Sequence, residues 1–182
     1  MEISTIYFDM DEVLVNQKDG LAKLEGISPE EMMLRRTKAK EKDKHFDYIM
    51  YLIRKHIDAE PFSHYDPLPE FEYFKEFMLR CKSEGYKVEI LSSGTSSKEL
   101  YEKAVVQKRV WLIRHGLGNI KANFSHGSSE KKMWSCTKAL LVDDYERNIL
   151  EFREAGGHGV HHIDIHTSIE DLRALGFKME NF

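Results

Sequence analysis

Two aspartates spaced two residues apart follow an apolar stretch near the N-terminus. The segment reads Ile6-Tyr7-Phe8-Asp9-Met10-Asp11-Glu12-Val13-Leu14-Val15. If Asp9 and Asp11 leave a buried strand in an extended loop, both carboxylates face one small volume at its carboxyl edge, where open α/β sheets bind ligands. Two such charges raise the pKa of each other, and a hard cation such as Mg²⁺ relieves their repulsion through oxygen ligands. Because this spacing is common by chance, the hypothesis depends on what the later strands supply.

A hydroxyl pair and an amine pair also stand beside predicted strands. Ser92 and Ser93 follow the apolar run 88–91. A hydroxyl and the backbone N–H groups of a Ser/Gly-rich turn can hold phosphate oxygens. Lys131 and Lys132 occupy a polar loop before a later strand. An ammonium is a compact charge that suits a phosphoryl group, so both pairs are candidate phosphate ligands.

A second acidic pair, Asp143 and Asp144, ends the apolar run 140–142. Burying such acids without a partner is costly unless a cation compensates their charge. The acids, hydroxyls and lysines therefore predict one metal-assisted phosphate site, provided that the fold brings their strand ends together.

Strands alternate with helices along most of the chain. Apolar, β-rich runs predict strands over residues 3–8, 86–91, 120–124, 139–142 and 159–163. Helical periodicity predicts one helix from residue 71 to a capping glycine at Gly85 and others over 98–115, 146–154 and 168–175, the last capped by Ser168. Alternation of this kind predicts an α/β fold, a Rossmann-like three-layer sandwich with a central parallel sheet.

A segment of different composition interrupts this alternation after the first strand. Ser28-Pro29-Glu30-Glu31 is a strong helix start, and a very polar, basic stretch continues to Lys44. A second amphipathic helix follows, and prolines close the segment. We expect residues 17–65 to form a small helical cap, and residues 1–16 with 66–182 to form the core domain.

The overall composition is that of a globular protein. The chain has 182 residues, a net charge of −4, 41% hydrophobic and 32% charged residues, which gives no general drive toward nucleic acid. No apolar run approaches the roughly 20 residues that span a bilayer, and the N-terminus lacks the features of a signal peptide. Cys81 and Cys136 lie in apolar surroundings, which favours reduced, buried thiols and a cytoplasmic location.

The order of these groups resembles the haloacid dehalogenase superfamily of phosphohydrolases. The matching stretches are Asp9-Met10-Asp11, Ser92-Ser93, Lys131 or Lys132, and Asp143-Asp144. The Asp-Met-Asp start, the small helical insert, the run from Leu141 to Asn148 and Ala155-Gly156-Gly157 resemble the 5'(3')-deoxyribonucleotidase group and its small bacterial and phage members. One departure is Glu12, which stands where these nucleotidases usually have glycine.

The resemblance implies a role for each matched residue. Asp9 would attack phosphorus and form an aspartyl-phosphate, and Asp11 would act as general acid and then as general base. Mg²⁺ would be held by Asp9, by the backbone carbonyl of Asp11, and by Asp143 or Asp144. Ser92, Ser93 and a lysine would bind the phosphoryl group; the small-member pattern favours Lys131 and leaves Lys132 open.

The implied substrate is a small phosphomonoester, above all a nucleoside monophosphate. Arg35, Phe46 and Tyr48 in the predicted cap are candidates for contacting it. Two alternatives remain: a polynucleotide 3'-phosphatase, suggested by the basic cap, and a catalytically silent phosphate-binding or regulatory domain. The histidines of the segment 158–166 fit no zinc pattern and are expected to be partly exposed strand residues.

Overall fold

Five parallel strands form the sheet of the computed structural model, which describes residues 3–179. They are β1 (Thr5–Phe8), β2 (Lys87–Ser93), β3 (Lys121–Ser125), β4 (Ala139–Asp143) and β5 (His158–His161). Their order is β3-β2-β1-β4-β5, and Ile6 of β1 lies opposite Val88 of β2 and Leu140 of β4. The predicted α/β fold with a central parallel sheet is confirmed.

Eight α-helices surround or precede these strands in the described part of the chain. They are α1 (Gln17–Glu25), α2 (Pro29–Lys42), α3 (Tyr48–His56), α4 (Pro61–His64), α5 (Phe71–Ser83), α6 (Lys98–Arg114), α7 (Glu146–Glu154) and α8 (Ile165–Ala174). Short 3₁₀ helices cover Ile57–Ala59 and Ser128–Trp134. Gly85 has a φ of +95°, the left-handed conformation expected of the glycine that ends α5.

Successive side chains of the strands enter two different apolar layers. Ile6 and Phe8 pack into the larger core with α5, α6 and α8, whereas Tyr7 faces a smaller core against Phe152 of α7. Because both faces of the sheet are covered, the strands read in the sequence as continuous apolar runs.

Four helices and the 3₁₀ turn at Ile57–Ala59 form an insert between β1 and β2. As predicted, Ser28 caps α2, and its hydroxyl accepts a hydrogen bond from the N–H of Glu31 at 3.2 Å. Leu21, Met32 and Leu52 from the insert are fully buried in the same apolar cluster as the larger core. The insert is therefore packed onto the main fold and lies next to the loop that follows β1.

Three local predictions need correction. Asp164, and not Ser168, caps α8 and accepts a hydrogen bond from the N–H of Thr167; Ser168 is buried inside the helix and bonds His162. Ser92 and Ser93 are the last residues of β2 instead of the turn after it. Cys136 is exposed, because it lies in the loop before β4; Cys81 is buried, and both are free thiols.

None of the helices within residues 3–179 combines the length and the apolar character needed to cross a bilayer.

Candidate active site

Asp9 and Asp11 lie in a tight turn directly after β1. The N–H of Asp9 donates to the carbonyl of Val142 at 2.9 Å, which continues the pairing with β4 beyond the end of the strand. The carbonyl of Met10 accepts a hydrogen bond from the N–H of Leu14 at 2.8 Å and closes the turn. Both aspartates keep one buried oxygen, Oδ1, that has no hydrogen-bond partner among the described residues. Because buried polar atoms are normally satisfied, these two oxygens are candidate ligand atoms.

Glu12 occupies the position in this turn where the resemblance led us to expect a glycine. Its φ of +59° lies in the left-handed region, which costs a residue with a side chain roughly 1–2 kcal/mol. Its carboxylate accepts a hydrogen bond from the N–H of Lys18 at 2.8 Å and pairs with the Lys18 ammonium at 3.0 Å. These contacts at the start of α1 hold Glu12 in place, and they connect the loop after β1 to the insert.

Lys131 occupies the centre of the acidic cluster. Its fully buried ammonium lies 2.9 Å from Asp9 Oδ2 and 2.6 Å from Asp143 Oδ2. Burial alone would lower the pKa of Lys131, but the two carboxylates outweigh burial and raise it. Lys132 points the other way: about half of its side chain is exposed, and it pairs with Glu151 at 3.4 Å. The 3₁₀ helix thus brings only the first lysine of the pair into the site.

Asp143 and Asp144 have different surroundings at the end of β4. Asp143 is buried, and its oxygens accept hydrogen bonds from Lys131, from the N–H of Tyr145 and from the Asn148 amide. Asp144 is partly exposed, and its nearest cation is Lys18 at 3.9 Å. Burial, and then the charges of Asp9 and Asp143, raises the pKa of Asp144 to about 8. Asp143 therefore acts as a fixed partner of Lys131, whereas Asp144 has oxygens free for another ligand.

The donor set fits a divalent cation. Oxygens of Asp9, Asp143 and Asp144 lie within 4.8 Å of one another, and oxygen-only ligands suit Mg²⁺. With Asp11 included, four carboxylates face two buried ammonium groups, Lys131 and Lys108. When all four carboxylates are ionised, two negative charges have no buried counter-ion in the described structure, and one divalent cation would balance them.

Lys108 is a site residue that the sequence analysis missed. Its buried ammonium lies 2.5 Å from Asp11 Oδ2 and donates to the Ser92 hydroxyl at 3.0 Å. Burial raises the pKa of Asp11, Lys108 opposes that rise, and Asp9 adds to it. A signal was present in the sequence, because Lys108 falls on the buried stripe of α6 between Ala104 and Leu112. A lysine on such a stripe needs a buried acid as partner.

The remaining predicted site residues are spread over a wider region. Ser93 is half-buried at the end of β2. Phe46, 37% exposed, lines the cleft described below. Arg35 and Tyr48 do not line it: Arg35 pairs with Glu31 on the exposed surface of α2, and Tyr48 stacks on Tyr51 at 6.2 Å.

A cleft of about 770 Å³ opens between the insert and the carboxyl edge of the sheet. Asp11 and Asp144 line it on the side of the core, and Arg36, Lys40 and Phe46 line it on the side of the insert. The acidic cluster is therefore open to solvent through this cleft.

Three histidines in and beside β5 have hydrogen-bond partners within the protein. His162 is buried, contrary to expectation, and its ring bonds the Ser168 hydroxyl at 2.8 Å. The rings of His158 and His161 contact the backbone carbonyls of Thr137 and Asp144. Among the described residues, the aspartate group at the sheet edge is the one cluster of potential metal ligands.

Comparisons with known proteins support the fold at the level of structure. No protein-family model matches the chain, and no curated protein sequence matches it. A haloacid dehalogenase (HAD) family hydrolase from Deinococcus radiodurans R1, with bound phosphate and sodium, superposes with a TM-score of 0.54 at 11% identity over 86% of this chain and 79% of that one. The chain has the haloacid dehalogenase fold.

Two other solved structures with this fold are a hydrolase from Streptococcus pneumoniae TIGR4 and the L-2-haloacid dehalogenase from Xanthobacter autotrophicus. The alignment with the first has a TM-score of 0.50 at 11% identity, and it covers 96% of this chain and 98% of the chain of that hydrolase. The second has a TM-score of 0.50 at 12% identity and covers 98% and 85%. Since the haloacid dehalogenase fold serves both phosphate-binding hydrolases and dehalogenases, the chemistry of this chain has to be argued from its side chains.

Proposed function

We propose that the chain is a Mg²⁺-dependent phosphomonoester hydrolase that works through an aspartyl-phosphate. The observation that carries this proposal is the meeting of Asp9, Asp11, Lys131 and Asp144 at one edge of the sheet, with Oδ1 of Asp9 and of Asp11 buried and unpartnered. A dehalogenase needs a nucleophilic carboxylate, but it has no evident use for two further acids beside it. Phosphoryl transfer has a use for further acids, because a cation must offset charge on the phosphoryl oxygens.

The first chemical step forms the aspartyl-phosphate. Oδ1 of Asp9 attacks phosphorus while the bond from phosphorus to the ester oxygen breaks, and the leaving oxygen takes a proton from Asp11. Lys131 holds Oδ2 of Asp9 and so directs Oδ1 toward the substrate. The raised pKa of Asp11, caused first by its burial, favours the protonated form that this step needs.

The second step returns the enzyme to its starting state. Asp11, now ionised, accepts a proton from water; the water oxygen attacks phosphorus, and the bond from phosphorus to Asp9 breaks. Lys108 lies against Asp11 and favours its ionised form, which this step requires. Inorganic phosphate is released.

A bound Mg²⁺ would neutralise charge on the phosphoryl oxygens. Asp9, Asp144 and the backbone carbonyl of Asp11 are its proposed ligands. Asp144 is preferred to Asp143 because the oxygens of Asp143 already accept hydrogen bonds from three neighbours. Asp143 would instead fix Lys131, and the hydroxyls of Ser92 and Ser93 would bind the phosphoryl group together with Lys131.

We further propose that the leaving group is a nucleoside and that residues 17–65 act as a cap over it. Two observations support this reading: the resemblance of the sequence motifs to the deoxyribonucleotidase group, and the exposed Phe46 ring in the cleft, which offers a surface for a base.

Turnover of p-nitrophenyl phosphate tests the reaction class. The wild-type protein should release p-nitrophenolate with Mg²⁺ and lose at least about 10³-fold in kcat with EDTA or with Asp9→Asn, since both remove groups on which the first step depends. Asp58→Asn, at an exposed carboxylate of the insert, is the matched control and should keep full activity. Turnover that survives in Asp9→Asn, or chloride release from 2-haloacids in place of phosphate release, would refute the proposal.

A further inference from the structure

From α2 and the residues just after it, the insert presents three cations to the candidate active-site cleft, beside one carboxylate, Asp47, which accepts a hydrogen bond from the N–H of Met50. Arg36 and Lys40 stand one helical turn apart on α2, and Lys44 follows just beyond the end of that helix. All three line the 770 Å³ cleft that also contains Asp11 and Asp144. We call Arg36, Lys40 and Lys44 the basic wall.

The basic wall lacks acidic partners within the described structure. None of its members forms an ion pair with a described carboxylate, although the same helix does pair Arg35 with Glu31 at 2.9 Å on its other side. Arg36 is half-buried, whereas Lys40 and Lys44 are exposed. Cations that face a cleft without counter-ions favour an anionic occupant of that cleft.

The basic wall would neutralise a negative charge other than that of the phosphoryl group at the reaction centre. There, Lys131 and the proposed Mg²⁺ already supply positive charge next to Asp9. The basic wall lies on the insert, across the cleft from that centre. The residues of the basic wall therefore suit a second anionic group, carried by the leaving part of the substrate.

We propose that the preferred substrate carries a second phosphate, so that one phosphate is hydrolysed at Asp9 while the basic wall binds the other. This inference rests on the proposed phosphomonoesterase function and specifies its substrate class. Both a nucleoside 3',5'-bisphosphate and the 3'-phosphorylated end of an oligonucleotide have this chemistry. In each, a nucleoside stands between the two phosphates and would lie beside Phe46, which lines the cleft.

A matched pair of double variants tests the proposal. Arg36→Gln/Lys40→Gln removes two charges from the basic wall. Lys38→Gln/Lys42→Gln removes two charges with the same spacing from the same helix, at exposed positions that do not line the cleft. The substrates are p-nitrophenyl phosphate, adenosine 3'-monophosphate, adenosine 3',5'-bisphosphate and a 3'-phosphorylated oligonucleotide, each assayed for kcat/KM at low and at physiological salt.

The wild-type protein should prefer the bisphosphate, the oligonucleotide or both over the monophosphate by at least about tenfold, and added salt should weaken that preference. The variant of the basic wall should lower the ratio of kcat/KM for the preferred substrate to that for p-nitrophenyl phosphate by at least about fivefold, whereas the control should keep the ratio. Which of the two substrates is preferred distinguishes a free bisphosphate from a nucleic-acid end.

Two results would overturn the inference. One is wild-type activity on adenosine 3'-monophosphate that equals or exceeds its activity on both substrates with a second phosphate. The other is an equal effect of the two double variants on the ratio. Either result leaves the proposed phosphomonoesterase function intact, because that function is tested separately, by the dependence of p-nitrophenyl phosphate hydrolysis on Mg²⁺ and on Asp9.

Discussion

Lys108 shows how much of the site depends on single buried contacts. A lysine ammonium is rarely buried without a partner, and here it joins the proposed acid, Asp11, to the proposed phosphate ligand, Ser92. It also lies over the ring of Phe62 from the insert, 5.0 Å from the ring centroid. One side chain therefore connects the loop after β1, the end of β2 and the insert.

Replacing Lys108 should separate the two chemical steps. In Lys108→Met, Asp11 loses the ammonium that favours its ionised form, so hydrolysis of the aspartyl-phosphate should slow by about 10²-fold in kcat, within the usual range of general-base catalysis. The first step should change by less than about tenfold in kcat/KM with p-nitrophenyl phosphate, because its leaving group scarcely needs a proton. Stopped-flow absorbance should show a burst of about one p-nitrophenolate per enzyme.

Lys103→Met is the control for this experiment, since Lys103 lies on the same helix but is exposed and pairs with Asp58 at 2.6 Å. It should behave as the wild type. Equal losses in kcat and kcat/KM for Lys108→Met, without a burst, would assign Lys108 a structural role only.

At the scale of elements, the ends of β1 and β4 determine where the proposed cation site lies. The two strands pair in register from Thr5 opposite Ala139 to Phe8 opposite Val142, so the residues that follow each strand emerge side by side. Asp9 and Asp144 thereby approach each other across more than a hundred residues of sequence. This arrangement has a cost: burial, and then repulsion by Asp9, raises the pKa of Asp144.

Cation binding should therefore depend on pH. Without a cation, Asp144 holds its proton in the folded protein up to a pKa of about 8, whereas the unfolded chain releases it near pH 4. The contribution of Asp144 to the free energy of unfolding is thus fully present below about pH 4 and is lost as pH rises toward 8. Mg²⁺ competes with that proton, so its affinity should rise with pH and level off above about pH 8.

Thermal unfolding with and without Mg²⁺ at pH 6 and pH 8.5 measures this effect. Mg²⁺ at about 100 times its Kd stabilises a protein by about 2.7 kcal/mol, which corresponds to a rise in Tm of several degrees for a chain of this size. The rise at a fixed Mg²⁺ concentration should be larger at pH 8.5. Asp144→Asn should abolish most of it, and Asp58→Asn should not; an equal rise in wild type and Asp144→Asn would exclude Asp144 as a ligand.

At the scale of the whole molecule, the strand order explains which features the sequence could predict. The chain turns from one half of the sheet to the other between β3 and β4, and the ligand crevice of such sheets lies where the order reverses. The acidic pairs at Asp9 and Asp143 could be assigned to that crevice because each directly follows an apolar strand. Their position depends on local sequence and on the rules of parallel sheets alone.

Other site features depend on packing that no local pattern encodes. The contact of Lys108 with Asp11 requires the rotation of α6 about its own axis, and the difference between Lys131 and Lys132 requires the path of a 3₁₀ helix. Likewise, Arg36 and not Arg35 faces the cleft because of how α2 docks on the core. In a basic helix with cations at many positions, hydrophobic periodicity is too weak to define the inner face.

The most direct test of the central claim is a crystal structure of the protein with Mg²⁺ and inorganic phosphate. We expect one ion bound by oxygens of both Asp9 and Asp144 at about 2.1 Å, with the phosphate beside it in contact with Lys131. An ion bound elsewhere, or none between these two carboxylates at saturating Mg²⁺, would contradict the account.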